Sequence, residues 1–484
     1  SSMPQYPFNP TGRPLPACDH ARRCRYRAIL LSLGLVLGSL TNVSCNHSEP
    51  ASPPPSANID PPTVDGDTID PEVAAAIESA SKSIQGNPAD GRHWGELGMV
   101  FFAHDFKGQA IKCFQQAAVL SPEEGRWPYL EARCIAAIRP KEAEQLLSQA
   151  VSLCENDPPS VRLFRVELLL ELMQLDEAEA ELKLSLNQDP NNGRGQLAKA
   201  RLLFMREQHQ DCMDVLQKLD ANLNSVNEQS GRRQPLYLLG AESLRRLGKP
   251  EQAEQLRKQA MTQAEFAWPD EYMSEVSSRK TGLKTYLVKA DRLYNRGQYE
   301  PSIALLRNTV AGYPDSLWGK ILLGRALIRT GGPSSSYPQD EKQKRLLEAV
   351  QILEETLQND PNAVEAYFRL AVAKDYLQDL DSAIELYQQA IKLKSDFTMA
   401  HYNLASCLNR KRDMDGAIQA LEASVQAEPE FVDGHHMLGR LLIVQRRYSE
   451  AAKHLGIASQ LAPSNQQIAE RYRATMEKAQ VLDD

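Results

Sequence analysis

His435 with His436, Glu354 with Glu355, and eight cysteines are the groups in this sequence suited to metal binding, proton transfer or nucleophilic attack. A metal needs ligands that converge, whereas neighbouring residues on a helix point about 100° apart, so His435 and His436 cannot readily share an ion. Glu354 and Glu355 read as part of a solvated helix face rather than an acid–base dyad. Cys18, Cys24, Cys45, Cys113, Cys134, Cys154, Cys212 and Cys407 include no C-x2-C pair and no metal-site spacing with histidine. A phosphate-cradling G-x-x-x-x-G-K-[ST], a nucleophile elbow G-x-S-x-G and a zinc-binding H-E-x-x-H are all absent. The expectation is therefore a chain with no catalytic residue, no metal, no cofactor and no small-molecule substrate.

Composition narrows the class further. Apolar residues make up 42% and charged residues 24%, enough of each to bury a core and solvate its surface. The formal net charge is -8, and all of the basic excess of the first 45 residues (Arg13, Arg22, Arg23, Arg25 and Arg27 against Asp19) lies outside the remaining chain, which stands at -12. So acidic a balance lacks the positive field that nucleic-acid binding uses, and that class is excluded.

The elements that must position the rest are announced by Trp94-Gly-Glu-Leu-Gly-Met-Val-Phe101, followed by Ala110, Phe114, Ala117 and Pro122. The spacing recurs about every 34 residues. It resembles the W-x2-L-G-x2-Y, A-x3-F, P signature of the tetratricopeptide repeat family, from residue 91 to residue 465. The resemblance implies an all-α fold, an α-solenoid of about ten helix–turn–helix repeats with capping helices at both ends. Leu97 and Phe101 share one face of a first helix, and Ala110, Phe114 and Ala117 mark the facing stripe of a second. Gly98 and Ala110 let the helices approach, and Pro122 ends the unit. Each pair leaves an apolar face that only a neighbouring pair buries, so stability belongs to the array.

In chain order, the reading assigns residues 1–45 to a signal peptide or membrane anchor region, 46–71 to a disordered tether and 72–90 to an N-terminal capping helix. A first block, 91–226, holds four repeats. Residues 227–282 hold a fifth repeat (234–267) between linkers, of which Trp268 to Gly282 fits no repeat. A second block, 283–465, holds five repeats, the seventh of the array enlarged by a surface insertion at 331–343. Residues 466–484 form a C-terminal cap and tail. The cysteines beyond residue 100 mostly occupy apolar helix positions, Cys212 replacing a repeat alanine, and read as core. Whether Cys134 and Cys154 are oxidised to a bridge is left open.

The segment from Ala21 to Cys45 places four arginines before an apolar run, Ala28 to Leu40, and then small or polar residues. That order is similar to a secretory signal peptide, and the run is shorter than the roughly 20 residues of a spanning helix. Val43, Ser44 and Cys45 resemble the end of a bacterial lipoprotein signal, which makes Cys45 the candidate lipidation site, although Asn42 departs from the pattern. The Pro- and Ser-rich stretch that follows reads as an extended tether.

The family resemblance also implies a concave groove lined by positions 2, 5, 9 and 12 of each first helix. In the second block these are Phe368, Val372, Tyr402, Ser406, Asn409, His436 and Arg440. Earlier units contribute Leu197, Arg201, Phe204, Leu238, Glu242, Leu287, Asp291, Ile321 and Arg325. The Lys and Asn pair with which some tetratricopeptide adaptors clamp a terminal carboxylate is absent. The expected partners are other proteins, presented as peptide or helical segments, together with the membrane through the N-terminus. The expected function is a non-catalytic protein–protein interaction scaffold of the cell envelope, periplasmic or anchored as a lipoprotein. Alternatives are an adaptor on an uncleaved anchor facing the cytoplasm and a substrate-recruiting subunit of a separate envelope enzyme.

Overall fold

The structure, a computed structural model, describes residues 60–65, 69–154, 157–225, 233–261 and 268–483. These residues form 23 helices and no strand. Contacts divide them into two compact units that meet in sequence at Gly282 and Leu283.

The N-terminal unit opens with α1 (Pro71–Gly86). Five helix pairs follow: α2 (Gly91–Ala103) with α3 (Lys107–Leu120), α4 (Arg126–Ile135) with α5 (Pro140–Cys154), α6 (Pro159–Glu171) with α7 (Leu175–Gln188), α8 (Gly193–Met205) with α9 (His209–Ser225), and α10 (Gln234–Arg246) with α11 (Pro250–Met261). The unit closes with α12 (Glu271–Ser278). The C-terminal unit has five more pairs: α13 (Leu283–Asn295) with α14 (Tyr299–Gly312), α15 (Leu317–Gly331) with α16 (Gln339–Asn359), α17 (Val364–Tyr376) with α18 (Leu380–Leu393), α19 (Thr398–Arg410) with α20 (Met414–Ala427), and α21 (Val432–Val444) with α22 (Tyr448–Leu461). It ends in α23 (Gln466–Asp483). Within each unit the five pairs are stacked in the order of the sequence, and the fold is the expected all-α solenoid of helix–turn–helix repeats.

Two local devices recur and explain why the register holds. The first is the turn inside a pair. Asp105, Met173, Glu207, Gly248, Gly297, Gln378, Arg412 and Arg446 stand 34 residues apart or a multiple of it from their nearest counterparts within each regular stretch, and all have φ between 61° and 76°. The next backbone N–H then returns to a carbonyl five residues back, as from Phe106 to Phe101 at 2.9 Å and from Asp413 to Leu408 at 2.9 Å. This is the left-handed helix stop that satisfies otherwise orphaned carbonyls. The second device is a side-chain clamp at the fourth position of the unit. Trp94 Nε1 donates to the Pro88 carbonyl at 3.0 Å and Gln196 Nε2 to the Pro190 carbonyl at 2.6 Å. His401 Nε2 meets the Ser395 carbonyl at 2.9 Å and His435 Nε2 the Pro429 carbonyl at 3.0 Å. Each clamp spans six residues and fixes the entry into the first helix.

Packing follows the alternation of large and small residues. Leu97, Phe101, Ala110, Phe114 and Ala117 are fully enclosed. A Cβ on Gly98 would stand 2.7 Å from the Phe114 ring, so only glycine permits that approach. The second pair departs from the pattern: Glu131, in place of a small residue, is buried and accepts a 2.6 Å hydrogen bond from Gln115, and burial raises its pKa.

Three segments differ from expectation. Residues 331–343 are loop only in part, because α15 runs to Gly331 and α16 begins at Gln339, leaving 332–338 as the connection. Val64 and Ile69, within the expected tether, pack against the first core cluster. Most importantly, residues 268–282 are not a linker: they fold as α12 and its flanks against their own unit. Ala21 to Cys45, including the apolar run and Cys45, lies outside the described residues, and among those described no helix is long and apolar enough to cross a membrane.

Candidate interaction grooves

First helices approach first helices of the neighbouring pairs, as α6 does α8 and α15 does both α13 and α17, so they line the inner face of each stack. In the N-terminal unit that face is occupied by the chain itself. Helix α12 lies against α2 and α4, and the segment runs opposite to the order of the repeats. It begins at Trp268, whose ring lies 2.8 Å from where a Cβ on Gly193 would be, at the start of α8. Glu271 accepts a 2.5 Å hydrogen bond from Ser160 on α6. Asp270 is buried, caps α12 through a 3.0 Å bond from the Met273 N–H, and accepts the hydroxyl of Tyr129, with Arg133 at 3.7 Å. Burial of Tyr129 holds its hydroxyl well above the usual pKa, so it is a donor throughout the working pH range.

Further along, Arg126 on α4 stacks over the Tyr272 ring at 4.9 Å and pairs with Glu275 at 2.8 Å. Tyr272 and Val276 are both buried, and Tyr272 packs against Tyr129 with centroids 5.7 Å apart. Arg279 makes a two-pronged pair with Glu96 on α2, at 2.7 and 2.6 Å, and its carbonyl meets His104 Nε2 at 3.2 Å. Thr281 donates to Glu72 of α1 at 2.7 Å. Gly282, at φ +86°, then passes Asp70 so closely that a Cβ would stand 2.7 Å from its carboxyl carbon. Four repeats and the capping helix thus contribute to one continuous seat.

In the C-terminal unit the residues expected to line the groove differ in how far they are available. Phe368 is a correction: it is only 2% exposed. It packs on Tyr387 at 5.9 Å and on Phe397 at 4.8 Å. The fifth position of a unit here closes onto its thirty-fourth, the aromatic Phe397. Tyr402 makes the equivalent contact with Phe431, edge-on at 5.3 Å, but remains half-buried. His436 is half-buried and held at 2.5 Å by Arg471 of α23, so the cap covers this end of the surface. Burial and that guanidinium lower its pKa. Val372 is half-buried between two core clusters. Ser406 and Asn409 are half-buried, Arg440 is exposed, and among the described residues none of the three has an ion-pair or side-chain partner.

Several earlier expected positions are likewise turned inward. Leu197, Phe204 and Ile321 are buried core residues. Asp291 and Arg325, both ninth positions, pair with each other at 2.5 Å, and Arg325 stacks over Tyr294 at 4.0 Å. In the same way Glu167 takes Arg194 in two bonds of 2.8 and 2.7 Å. Charge along the inner face is therefore largely neutralised between adjacent repeats. His435 belongs to the core as well: its Nδ1 faces Nδ1 of His454 at 3.0 Å, and the rings stack. Among the described residues no group of three or more His, Cys, Asp or Glu converges to hold a metal. Cys113, Cys134, Cys154, Cys212 and Cys407 are free thiols, and burial pushes Cys134 and Cys407 up to about 12. Thiols held protonated in this way serve as packing groups.

The geometry defines a solenoid of helical hairpins with two inner faces. The comparisons name the repeat: tetratricopeptide repeat profiles match residues 135–202 and 368–430, and the fold is an α-solenoid of tetratricopeptide repeats. No curated protein matches the chain. Solved structures with similarity include MamA from Desulfovibrio magneticus RS-1, 19% identical over 38% of this chain and 96% of that one, with a TM-score of 0.32. A thermophilic tetratricopeptide protein of Thermus thermophilus is 16% identical over 40% of this chain and 99% of its own, with a TM-score of 0.33. A chain of the APC/C hetero-tetramer Cut9–Hcn1 is 13% identical over 84% of this chain and 94% of that one, with a TM-score of 0.36. Tetratricopeptide folds are protein-interaction scaffolds, and an enzyme family is not evident in this chain.

Proposed function

We propose that this protein is an exported, membrane-tethered scaffold whose C-terminal unit captures a peptide or helical segment of a partner protein on its inner face. The observation that carries the reading is the strip formed by Tyr402, Ser406, Asn409 and Arg440. A half-buried ring offers apolar area at low entropic cost, a hydroxyl and an amide stand uncommitted beside it, and an unpaired guanidinium favours a carboxylate on the partner. Elsewhere on the inner face most charges are already neutralised by a neighbour. The strip therefore supplies what a ligand would have to satisfy. Export and tethering rest on the arginines, apolar run and Cys45 of the N-terminal segment.

A photo-crosslinking residue at Asn409, used in the native envelope, should capture a discrete partner. Tyr402→Ala with Arg440→Ala should reduce that capture at least tenfold while leaving helicity intact. Undiminished capture by the folded double variant would sink the assignment of this surface. Mass analysis of the mature N-terminus tests the tether separately, a diacylated Cys45 being the expected product.

A further inference from the structure

We propose that residues 268–282 are an exchangeable resident ligand of the N-terminal groove, and that the vacated groove takes a partner helix of the same chemistry. That chemistry is an opening carboxylate, an aromatic two residues on, a second carboxylate and an apolar residue one turn further, and a trailing cation.

The seat has the anatomy of an interface rather than of a repeat core. Two buried anchors, Tyr272 and Val276, are surrounded by a polar rim. The rim comprises Asp270 to Tyr129 and Arg133, Glu271 to Ser160, Glu275 to Arg126, Arg279 to Glu96 and Thr281 to Glu72. Charges are complementary: Asp270 and Glu275 face Arg133 and Arg126 of α4, and Arg279 faces Glu96 of α2. The segment lies outside the 34-residue rhythm and forms no hairpin of its own, seating instead on the first helices α2 and α4. A helix of eight residues is too short to persist alone, so α12 forms only on its seat and its release is a local event. Its attachment to α11 keeps its effective concentration at the groove high, which sets the threshold that a partner must exceed. The inference is independent of the Tyr402 strip, because the two surfaces belong to different units.

The test uses the full chain and a labelled synthetic peptide of residues 268–282. Tyr272→Ala with Val276→Ala vacates the seat, and the peptide should bind that variant at least tenfold more tightly than it binds the wild type. Adding Arg126→Ala should remove the gain. Circular dichroism establishes that the variants retain their helices. Failure of the peptide to bind the folded variant, or equal binding to the wild type, would overturn the proposal, as would an exchange of the segment between copies seen as a concentration-dependent dimer. A second measurement needs no variant. Hydrogen exchange in the wild type should show α12 amides opening at least tenfold faster than those of α4 and α6; exchange of all three at one rate would make the segment a fixed part of the unit and end the proposal.

Discussion

The two inner faces of this solenoid are built from the same repeat and yet have opposite status. In the N-terminal unit Arg126, Arg133, Glu96 and Ser160 are satisfied by a segment of the same chain, whereas in the C-terminal unit Ser406, Asn409 and Arg440 are satisfied by nothing among the described residues. The repeat itself does not cause the difference, since the helix stops, fourth-position clamps and buried anchors are common to both units. The cause is one fifteen-residue stretch that the repeat pattern does not own. A solenoid surface cannot therefore be judged open from its lining residues alone; what covers them has to be found first.

The sharpest way to break the contrast is Asp270→Ala. It removes a buried carboxylate that caps α12 and accepts from Tyr129, and the loss of such a partner costs about 3 kcal/mol. The N-terminal unit should lose that much by chemical denaturation, with deprotection centred on α12, while the C-terminal unit keeps its own transition. A loss below about 1 kcal/mol, the worth of an exposed cap alone, would mean that the segment is only loosely seated.

The next test addresses what the units share. Gly248 and Gly297 occupy equivalent turns at φ +74° and +76°, where a Cβ costs about 1–2 kcal/mol. Gly248→Ala and Gly297→Ala should destabilise their respective units by similar amounts, and Arg412→Gly, at φ +66°, should stabilise by up to about 1 kcal/mol. Unequal costs would place a difference in the repeat rather than in its ligand.

Acid separates the units by a different route. His435 and His454 are lowered in pKa by burial, and His436 by burial and Arg471. A base whose folded pKa lies below its unfolded value of 6.5 binds its proton more tightly when unfolded, so stability present above 6.5 is lost as pH falls through the lowered folded values. A protonated His435 would also present a second donor to the one on His454. In the N-terminal unit, burial lowers His104 but raises Glu131 and Glu171, and a raised carboxyl contributes stability that grows on acidification. Between pH 7 and pH 5 the melting temperature of the C-terminal unit should fall further than that of the N-terminal unit; the reverse order would contradict these environments. The smallest effect belongs to Arg440→Ala, which should change stability by less than about 0.5 kcal/mol because the side chain is exposed and unpaired.

The sequence by itself determined the helix pairs. Trp94, Leu97, Gly98, Ala110 and Phe114 interact within one unit or with the next, and contacts so local in sequence repeat with the period of the chain. That is why a 34-residue rhythm suffices to place ten hairpins. The repeat register also made Tyr402, Ser406, Asn409 and Arg440 groove candidates by position, an expectation that crosslinking at Asn409 tests. Position alone could not tell how far Phe368 is enclosed: it and Tyr402 both sit at the fifth position against an aromatic at the thirty-fourth, but Phe368 also packs on Tyr387 and is buried. Nor could periodicity place residues 268–282, which obey none. Their partners lie 149, 183 and 209 residues away, at Arg126, Glu96 and Glu72. Only the stacked solenoid brings those side chains into one line, so only the tertiary structure decided that one groove is filled while the strip around Tyr402 is left open.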